Sequence, residues 1–239
     1  MNFLSKTRAM VIGICFTVLG LGVLVYGTIL LVNLRKPAVD LNKTDWTTLK
    51  PYQHVCVDLD FLMDEYMIHS SGRSESSMKE TARYFTVPEL VMDEDGSLYM
   101  NHFMGVVVPS KEVETYKRIA DNSYEWWTDE TGTVAWGSES VYIDGYLGKM
   151  SKDGKKYMRE YLQEIGYTDS EIDEMMIPYV IMNNASSVSA LVIAGAVLTV
   201  LGAGFIIWTV IRIKKDKELM NATVNHSSFS NYYGGNNFR

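Results

Sequence analysis

Two uninterrupted apolar segments flank a long middle part of the chain in which apolar and polar residues alternate or recur at helical spacing. Residues 9–32 and 188–211 contain no charged side chain. A helix needs about 20 apolar residues to cross the hydrocarbon core of a bilayer. Both segments therefore predict transmembrane helices, and the lipid bilayer is an expected partner.

The first apolar segment predicts an uncleaved signal anchor. A cleaved signal peptide has an apolar run of about 7–15 residues followed by a small-residue cleavage site. Here the run is longer, and no such site precedes Arg35 and Lys36. Cys15 follows Ile14, where a lipoprotein signal requires a small residue, so lipid anchoring is not expected.

Basic residues near the second span predict the orientation of the chain. Cytoplasmic flanks carry an excess of Lys and Arg. Residues 183–187 are uncharged, whereas four basic residues follow the span: Arg212, Lys214, Lys215 and Lys217. Two crossings then place both termini in the cytoplasm. Residues 33–187 contain 15 Lys and Arg against 27 Asp and Glu, a net charge of −12, which agrees with a location outside the cytoplasm.

Three shorter segments complete the predicted organisation. Residues 1–8 form a cytoplasmic N-terminus, and residues 33–53 form a juxtamembrane linker in which Trp46 rests at the membrane interface. Residues 212–239 combine a basic stop with a stretch rich in Asn, Ser, Gly and Tyr. That stretch has no apolar periodicity and predicts a disordered cytoplasmic tail.

Residues 54–187 predict the extracytoplasmic domain, and its first part reads as β-structure. HVCVDLDF at residues 54–61 alternates strictly between polar and apolar positions, which is typical of a strand with one solvated face. Residues 81–91 and 97–108 are rich in β-forming residues. The turn sequence DEDG separates them, so a hairpin is predicted.

Helical patterns follow the predicted hairpin. Ser110 is placed to cap one helix and Ser151 to begin another. Residues 168–171 form a capping-box pattern that opens a short helix, which Pro178 is expected to stop. With residues 133–146 interpreted as a strand, the fold class is α+β. We expect an antiparallel sheet with two or three helices, inserted between the two transmembrane helices.

The polar face of the first predicted strand raises the question of a metal site. His54, Cys56, Asp58 and Asp60 are all potential ligands. Successive residues on one strand face are about 6.6 Å apart, whereas zinc binds its ligands at about 2.0–2.3 Å. Two neighbours at most could share one ion, and the other ligands would come from elsewhere, for example from His102. A solvated strand face explains the alternation without a metal, so no metal or cofactor is expected.

No other motif predicts a catalytic site. Asp58-Leu59-Asp60 resembles the DxD motif of nucleotide-sugar enzymes, but no sugar-transferase pattern surrounds it. The DEDG turn lacks the ligand spacing of an EF-hand loop. Ser138 lies in a strand pattern without the sharp strand-to-helix turn of a hydrolase nucleophile. A protein without enzymatic activity is therefore expected.

The richest group of aromatic residues admits two interpretations. Its members are Trp126, Trp127, Trp136 and Tyr142. Exposed aromatic residues are typical anchors of binding surfaces. Large aromatic side chains also dominate small hydrophobic cores, and core packing is the interpretation we favour.

Each apolar segment carries small residues at intervals of seven, which places them on one helix face. They are Gly13, Gly20 and Gly27 in the first segment and Gly195, Gly202 and Thr209 in the second. Small residues let helix backbones approach closely in a membrane. The two spans are expected either to pack on each other or to associate with another membrane protein or a second copy of the chain. Neither segment contains the ionisable residues that mark ion pathways, which argues against a transporter.

One segment carries a family resemblance. YMREYLQEIGYTDSEIDEMMIPY at residues 157–179, together with the flanking apolar segments, resembles a family of uncharacterised two-span membrane proteins of Gram-positive gut bacteria. The resemblance implies a location at the cell membrane. It implies no activity and supplies no functional residues.

The sequence favours a membrane-anchored interaction or accessory module without enzymatic activity and with no nucleic-acid partner. One alternative is a metal-dependent envelope enzyme built on His54, Cys56, Asp58, Asp60 and His102. Another is a ligand sensor that acts through a partner, because the cytoplasmic parts are too short to hold an output domain.

Overall fold

The computed structural model of the chain describes residues 3–72, 77–137, 139–183 and 185–233. The chain divides into two compact units, which are Met1–Ile29 with Ser187–Arg239, and Leu30–Ser186. The helices are α1 (Phe3–Leu34), α2 (Val113–Thr128), α3 (Lys152–Glu164), α4 (Asp169–Met175) and α5 (Ala185–Tyr233). The strands are β1 (Val39–Asp40), β2 (His54–Leu59), β3 (Glu65–Ser71), β4 (Lys79–Met92), β5 (Leu98–Pro109), β6 (Val141–Lys149) and β7 (Met176–Met182).

The first unit consists of the long apolar helices α1 and α5. Thr7–Leu34 and Val188–Asn221 are each long and apolar enough to cross a membrane, and only 11% of the most apolar window of each is buried. The core helix of a soluble protein would hide its apolar side chains, whereas lipid-facing helices expose them. The two helices therefore indicate a membrane protein.

α5 continues beyond the second predicted span as far as Tyr233. The prediction of a disordered tail after the basic stop differs from this part of the structure. No Gly or Pro interrupts the chain between Phe205 and Tyr233, so no helix-breaking residue ends α5 at the membrane boundary. Residues 234–239 of the predicted tail lie outside the described residues.

The second unit contains a seven-stranded mixed sheet with the strand order β1-β2-β6-β7-β5-β4-β3. Its pairs are antiparallel except for β1 with β2 and β5 with β7, which are parallel. The prediction of a purely antiparallel sheet is therefore wrong. The chain returns beside β5 only after a long crossover through α2, β6, α3 and α4, and such a crossover allows a parallel pair. The α+β class agrees with the structure.

Alternating strand residues build a hydrophobic core on each face of this sheet. One core lies under α2 and includes Val55, Phe85 and Ile119. The other lies under α3 and α4 and includes Phe103 and Leu162. Burying each large apolar side chain contributes about 1.5–3 kcal/mol, so both layers stabilise the sheet.

The predicted hairpin is confirmed. β4 and β5 pair along their length, from Ala82 opposite Pro109 to Met92 opposite Leu98. The DEDG turn joins them, and Gly96 at its end has a φ of +85°, a conformation that glycine adopts without strain.

The predicted starts of α3 and α4 are also confirmed. The Ser151 hydroxyl accepts a hydrogen bond from Gly154 N at 2.9 Å. Thr168 and Glu171 form the reciprocal capping box. The start of α2 differs from the prediction, because Ser110 lies in a turn and the helix begins at Val113 without a side-chain cap.

The segment predicted as a juxtamembrane linker is part of the domain. Leu41, Trp46 and Leu49 are buried in the core under α2. Trp46 lies in a short 3-10 helix, is 3% exposed, and donates its Nε1 hydrogen to the Leu41 carbonyl at 3.0 Å. The placement of Trp46 at a membrane interface is therefore wrong, since its polar edge is satisfied inside the domain.

Candidate functional site

The polar residues of β2 lie on its less buried face, as the alternation predicts. His54 Nε2 lies 2.5 Å from Asp144 Oδ1 on β6, and His54 Nδ1 lies 2.7 Å from the Lys36 carbonyl oxygen. The Cys56 thiol interacts with the Tyr142 hydroxyl of the neighbouring strand, and this interaction raises the pKa of that phenol. Two of the suspected metal ligands thus have protein partners.

The five suspected metal ligands are not brought together. His102 lies on β5, which β6 and β7 separate from β2 in the sheet, and its Nδ1 is 2.5 Å from Glu89 Oε2. Asp60 accepts a hydrogen bond from Trp136 Nε1. Among the described residues, no three His, Cys, Asp or Glu side chains meet in a group that could hold a metal ion.

Phe61, two residues beyond β2, is the centre of a group of four rings that we call the aromatic cluster. Its ring stacks on Trp136 with the centroids 5.4 Å apart and an interplanar angle of 23°. It meets Trp126 and Trp127 edge to face at 6.3 and 6.0 Å. Trp126 also meets Trp136 edge to face at 4.5 Å. Aromatic pairs favour these geometries, so the four rings support one another.

Only part of the aromatic cluster is buried, which corrects the interpretation of core packing. Phe61 is 6% exposed, but Trp127 and Trp136 are 43% and 39% exposed. Two adjacent helical residues point in different directions, so Trp126 and Trp127 cannot both face the core beneath α2. Tyr142 does not belong to the cluster, because it lies on β6 beside Cys56.

The loop between α2 and β6 is organised by Asp129. Its carboxylate accepts hydrogen bonds from the backbone N–H groups of Thr131 and Val134 at 2.8 and 2.7 Å, and from the Thr131 hydroxyl. The bond from that hydroxyl and the backbone bonds hold the pKa of Asp129 far below its usual range. The ordered loop leads to Trp136, whose Nε1 hydrogen is donated to Asp60 Oδ2 at 3.0 Å.

This loop replaces half of a predicted strand. The strand expected over residues 133–146 begins only at Val141 and continues to Lys149. Gly132 and Gly137 have φ values of +66° and +60°, which interrupt an extended conformation. Ser138, considered above as a nucleophile, lies outside the described residues.

A cavity of about 500 Å³ opens on one side of the aromatic cluster. Its walls come from the segment after β1, the end of β2, the second half of β4, and Trp136. Its charged lining residues are the carboxylates Asp45, Asp58, Asp60 and Glu89 and the ammonium group of Lys43. We call it the acidic cavity.

A second cavity, of about 510 Å³, also has Phe61 in its lining, and its walls include residues of α2 and α3. Its walls are mainly apolar and aromatic, and include Met63, Tyr124, Trp127, Tyr161 and Ile165. We call it the apolar cavity. Concave sites of a few hundred Å³ with apolar walls and a few polar groups are the usual form of ligand sites.

The small residues of the two apolar helices lie where α1 and α5 approach each other. A Cβ added to Gly20 would lie 2.5 Å from Thr199 N of α5, and one added to Gly195 would lie 2.6 Å from Leu24 N of α1. Approaches of 2.5–2.9 Å occur likewise at Gly13, Gly27 and Gly202. Thr209 is 2% exposed, and its hydroxyl donates to a carbonyl of its own helix.

The structure thus defines a protein with an α+β domain between two membrane-length helices, and with two cavities that meet at an aromatic cluster. The chain belongs to the family described as Domain of unknown function (DUF8577), which matches residues 3–215. The match includes the whole α+β domain and both predicted spans. No curated protein and no solved structure matches the chain.

Sequence reasoning missed two parts of this site. The signal for Phe61 was present, because the apolar alternation of HVCVDLDF continues one position beyond Leu59, the last residue of β2. The acidic cavity had no local signal. Asp45, Asp60 and Glu89 are distant in sequence, and only the packing of the segment after β1 against β4 brings them to one space.

Proposed function

We propose that the protein is a membrane-anchored, non-enzymatic binding module whose domain lies outside the cytoplasm and recognises its ligand or partner at the aromatic cluster. The observation that carries this proposal is the meeting of two cavities at Phe61 beside half-exposed tryptophans. Tryptophans at the edge of a pocket are frequent energetic anchors of recognition.

The rigidity of the aromatic cluster supports a recognition role. Trp136 is stacked on Phe61 and hydrogen-bonded to Asp60, so its orientation is fixed before any ligand arrives. Asp129 orders the backbone that leads to it. A surface ordered in advance loses less conformational entropy on binding, which strengthens the interaction.

The predicted membrane topology supports an accessory role outside the cell. The basic residues after the second span favour a cytoplasmic C-terminus, and the acidic middle part favours translocation. A domain attached to the bilayer by a span at each end is restricted in orientation and presents its cavities to a limited set of neighbours. Such restriction raises the effective concentration of a membrane-associated partner.

Site-specific photocross-linking tests the proposal. A photoreactive phenylalanine analogue replaces Trp127, at the edge of the apolar cavity, in the full chain in its native membranes. The matched control replaces Tyr157, which is equally exposed at 43% but does not line either cavity. We expect a discrete adduct, identified by mass spectrometry, at position 127 and none at position 157. Equal adducts at both positions, or none at either, would contradict a recognition site at the cluster.

A further inference from the structure

The acidic cavity has an unequal balance of charge. Four carboxylates line it, and the basic group in its described lining is Lys43. Lys43 is already engaged, because its Nζ lies 2.7 Å from Asp40 Oδ2, and that hydrogen bond raises the pKa of Lys43. Its side chain is 81% exposed, so it extends mainly into solvent. The cavity therefore presents net negative charge to whatever enters it.

Three of the four carboxylates are held in place by hydrogen bonds. Asp45 accepts from Thr47 N at 2.8 Å as the cap of the 3-10 helix. Asp60 accepts from Trp136 Nε1 at 3.0 Å. Glu89 is 13% exposed and accepts from three donors, which are His102 Nδ1, Asn101 Nδ2 and Trp46 N. Their positions are thus fixed by the fold and do not depend on a ligand.

The fourth carboxylate, Asp58, has no side-chain partner among the described residues. Its backbone is fixed, because Asp58 N donates to Asn42 Oδ1 at 3.0 Å and Asn42 Nδ2 donates to Asp58 O at 3.3 Å. The Asp58 side chain is exposed. It lies two residues before Asp60 in the sequence and lines the same cavity. Its negative charge is therefore available for an ionic contact.

Trp136 supplies an aromatic surface beside these carboxylates. One face of its ring is stacked on Phe61, and its N–H group is already donated to Asp60. The ring is nevertheless 39% exposed and lines the acidic cavity. An indole whose N–H is satisfied offers its electron-rich face, which attracts cations.

We propose that the acidic cavity binds an organic cation, an ammonium or guanidinium group held between the Trp136 ring and the carboxylates of Asp58 and Asp60. This inference rests on the proposed function as a binding module and assigns the chemical class of its ligand. Charge complementarity favours a cation over an anion, because an anion would meet four carboxylates in this cavity. The cation belongs either to a small molecule or to a Lys or Arg side chain of a peptide.

Calorimetric titration of the full chain in detergent micelles at low ionic strength tests the assignment. The probes are N-acetyl-argininamide and N-acetyl-lysinamide, each with one side-chain cation, and the neutral isostere N-acetyl-citrullinamide. We expect the arginine or lysine probe to bind at least about tenfold more tightly than the citrulline probe, the combined scale of an ionic and a cation–π contact. Added salt should weaken the binding, because it screens exposed charges.

Three variants locate the site. Asp58→Asn and Trp136→Leu should each weaken cation binding several-fold, and Asp60→Asn should do so while keeping an acceptor for the indole N–H group. Glu164→Gln is the matched control, since it removes one negative charge from an exposed position of α3 outside both cavities. Circular dichroism verifies that every variant is folded. The pentapeptide Gly-Gly-Arg-Gly-Gly distinguishes a small-molecule ligand from a peptide ligand. If it binds more tightly than the arginine probe, the natural cation is a side chain of a polypeptide.

Two outcomes would overturn the cation assignment. One is equal affinity for the arginine, lysine and citrulline probes. The other is a loss of affinity for the cationic probe in Glu164→Gln as large as that in Asp58→Asn. Either result combined with a specific adduct at position 127 leaves the binding module intact and removes only its ligand class. Absence of both cation binding and the adduct contradicts the proposed function as well.

Discussion

His54 of β2 and Asp144 of β6 form a hydrogen-bonded pair in which His54 Nε2 lies 2.5 Å from Asp144 Oδ1. The other ring nitrogen lies 2.7 Å from the carbonyl oxygen of Lys36. Both partner atoms are oxygens that accept hydrogen bonds, so the two contacts favour the form of the ring in which both nitrogens carry hydrogen. The His54 ring therefore joins the sheet to the segment that precedes β1.

This arrangement predicts a pH-dependent stability. Burial disfavours the charged ring and is the largest single influence, but the hydrogen bonds to Lys36 and Asp144 outweigh it and raise the pKa of His54. A raised pKa means that the stabilisation is complete below about pH 6.5 and is lost as the pH rises through the folded-state pKa. We expect His54→Gln to lower the free energy of unfolding by about 1–3 kcal/mol near pH 5.5, and by less at pH ~8.5.

Chemical denaturation of the full chain at the two pH values measures this difference. His69→Gln is the control, because His69 is exposed on β3 and bonded to the Thr81 hydroxyl, which is neutral. The control should show little change with pH. If His54→Gln lowers the free energy of unfolding equally at both pH values, the charge on the ring contributes nothing to stability.

The glycines between α1 and α5 predict a position-specific response to alanine. A Cβ at Gly195 would lie 2.6 Å from Leu24 N and 2.8 Å from Leu24 Cα, both of which are backbone atoms. Gly195→Ala should weaken helix association by about 1–3 kcal/mol, since the backbones must separate. Titration with SDS in mixed micelles, followed by energy transfer between one label on each helix, measures the association.

Gly22 and Gly204 provide matched controls on the same two helices. A Cβ at either position would meet no described atom within 4 Å beyond its own helix backbone. Gly22→Ala and Gly204→Ala should leave the association unchanged or strengthen it slightly, because alanine favours a helix over glycine by up to about 1 kcal/mol. If Gly22→Ala weakens helix association as much as Gly195→Ala does, close packing is not the role of Gly195.

A buried tyrosine on β3 predicts an unusual gain in stability. The Tyr66 hydroxyl has no hydrogen-bond partner among the described residues, and it lies over Gly105, where an added Cβ would be 2.3 Å away. Burial raises the pKa of Tyr66. An unsatisfied buried hydroxyl costs about 1–3 kcal/mol, so Tyr66→Phe should raise the free energy of unfolding by up to that amount.

Tyr161→Phe should change the free energy of unfolding in the opposite direction to Tyr66→Phe. The Tyr161 hydroxyl accepts a hydrogen bond from Asp64 N at 3.2 Å, so its removal should destabilise the domain by about 1 kcal/mol. Chemical denaturation of both variants tests the pair. Destabilisation by Tyr66→Phe would indicate that a buried water satisfies this hydroxyl in solution.

The proposed orientation predicts which cysteines are labelled from outside. In a Cys56→Ser background, Glu94→Cys places a thiol in the exposed turn between β4 and β5, and Lys217→Cys places one on the C-terminal side of the second span. A membrane-impermeant maleimide should label position 94 in intact protoplasts. It should label position 217 only after permeabilisation, and the reverse pattern would overturn the orientation.

The local patterns of the domain were predictable because short-range interactions determine them. The hairpin over residues 81–108 follows from two β-rich stretches and a glycine-containing turn. The start of α4 follows from the Thr168–Glu171 capping box, whose hydrogen bonds connect residues three apart. Neither feature depends on distant parts of the chain.

β7 was not predictable, because a proline in the middle of a central strand argues against that assignment. The structure accommodates Pro178 at an irregularity in the β5–β7 pairing, where Phe103 faces Met176 but Gly105 faces Val180. At such a bulge the missing N–H group of proline costs no ladder hydrogen bond. The Pro178 carbonyl still accepts from Met150 N at 3.0 Å.

The aromatic cluster was predictable in composition but not in place. Trp126, Trp127 and Trp136 are close in sequence, yet their common neighbour is Phe61. That contact depends on the packing of α2 over the end of β2, a tertiary arrangement that leaves no periodic signal in either segment. Exposure of the rings likewise follows from the fold and not from their hydrophobicity.

The central position of β7 has a consequence for how the protein is made. β7 is the last strand along the chain, ending at Met182 only a few residues before α5 begins at Ala185, yet it lies between β6 and β5 in the middle of the sheet. In the sheet that the described residues form, β7 is the strand that pairs with both β6 and β5, so β1, β2 and β6 are not joined by strand pairing to β5, β4 and β3 until β7 is synthesised. The domain therefore reaches its native topology only when the second span is about to be translated. Its two half-sheets, with unpaired edges at β6 and β5, must be kept from aggregating until then.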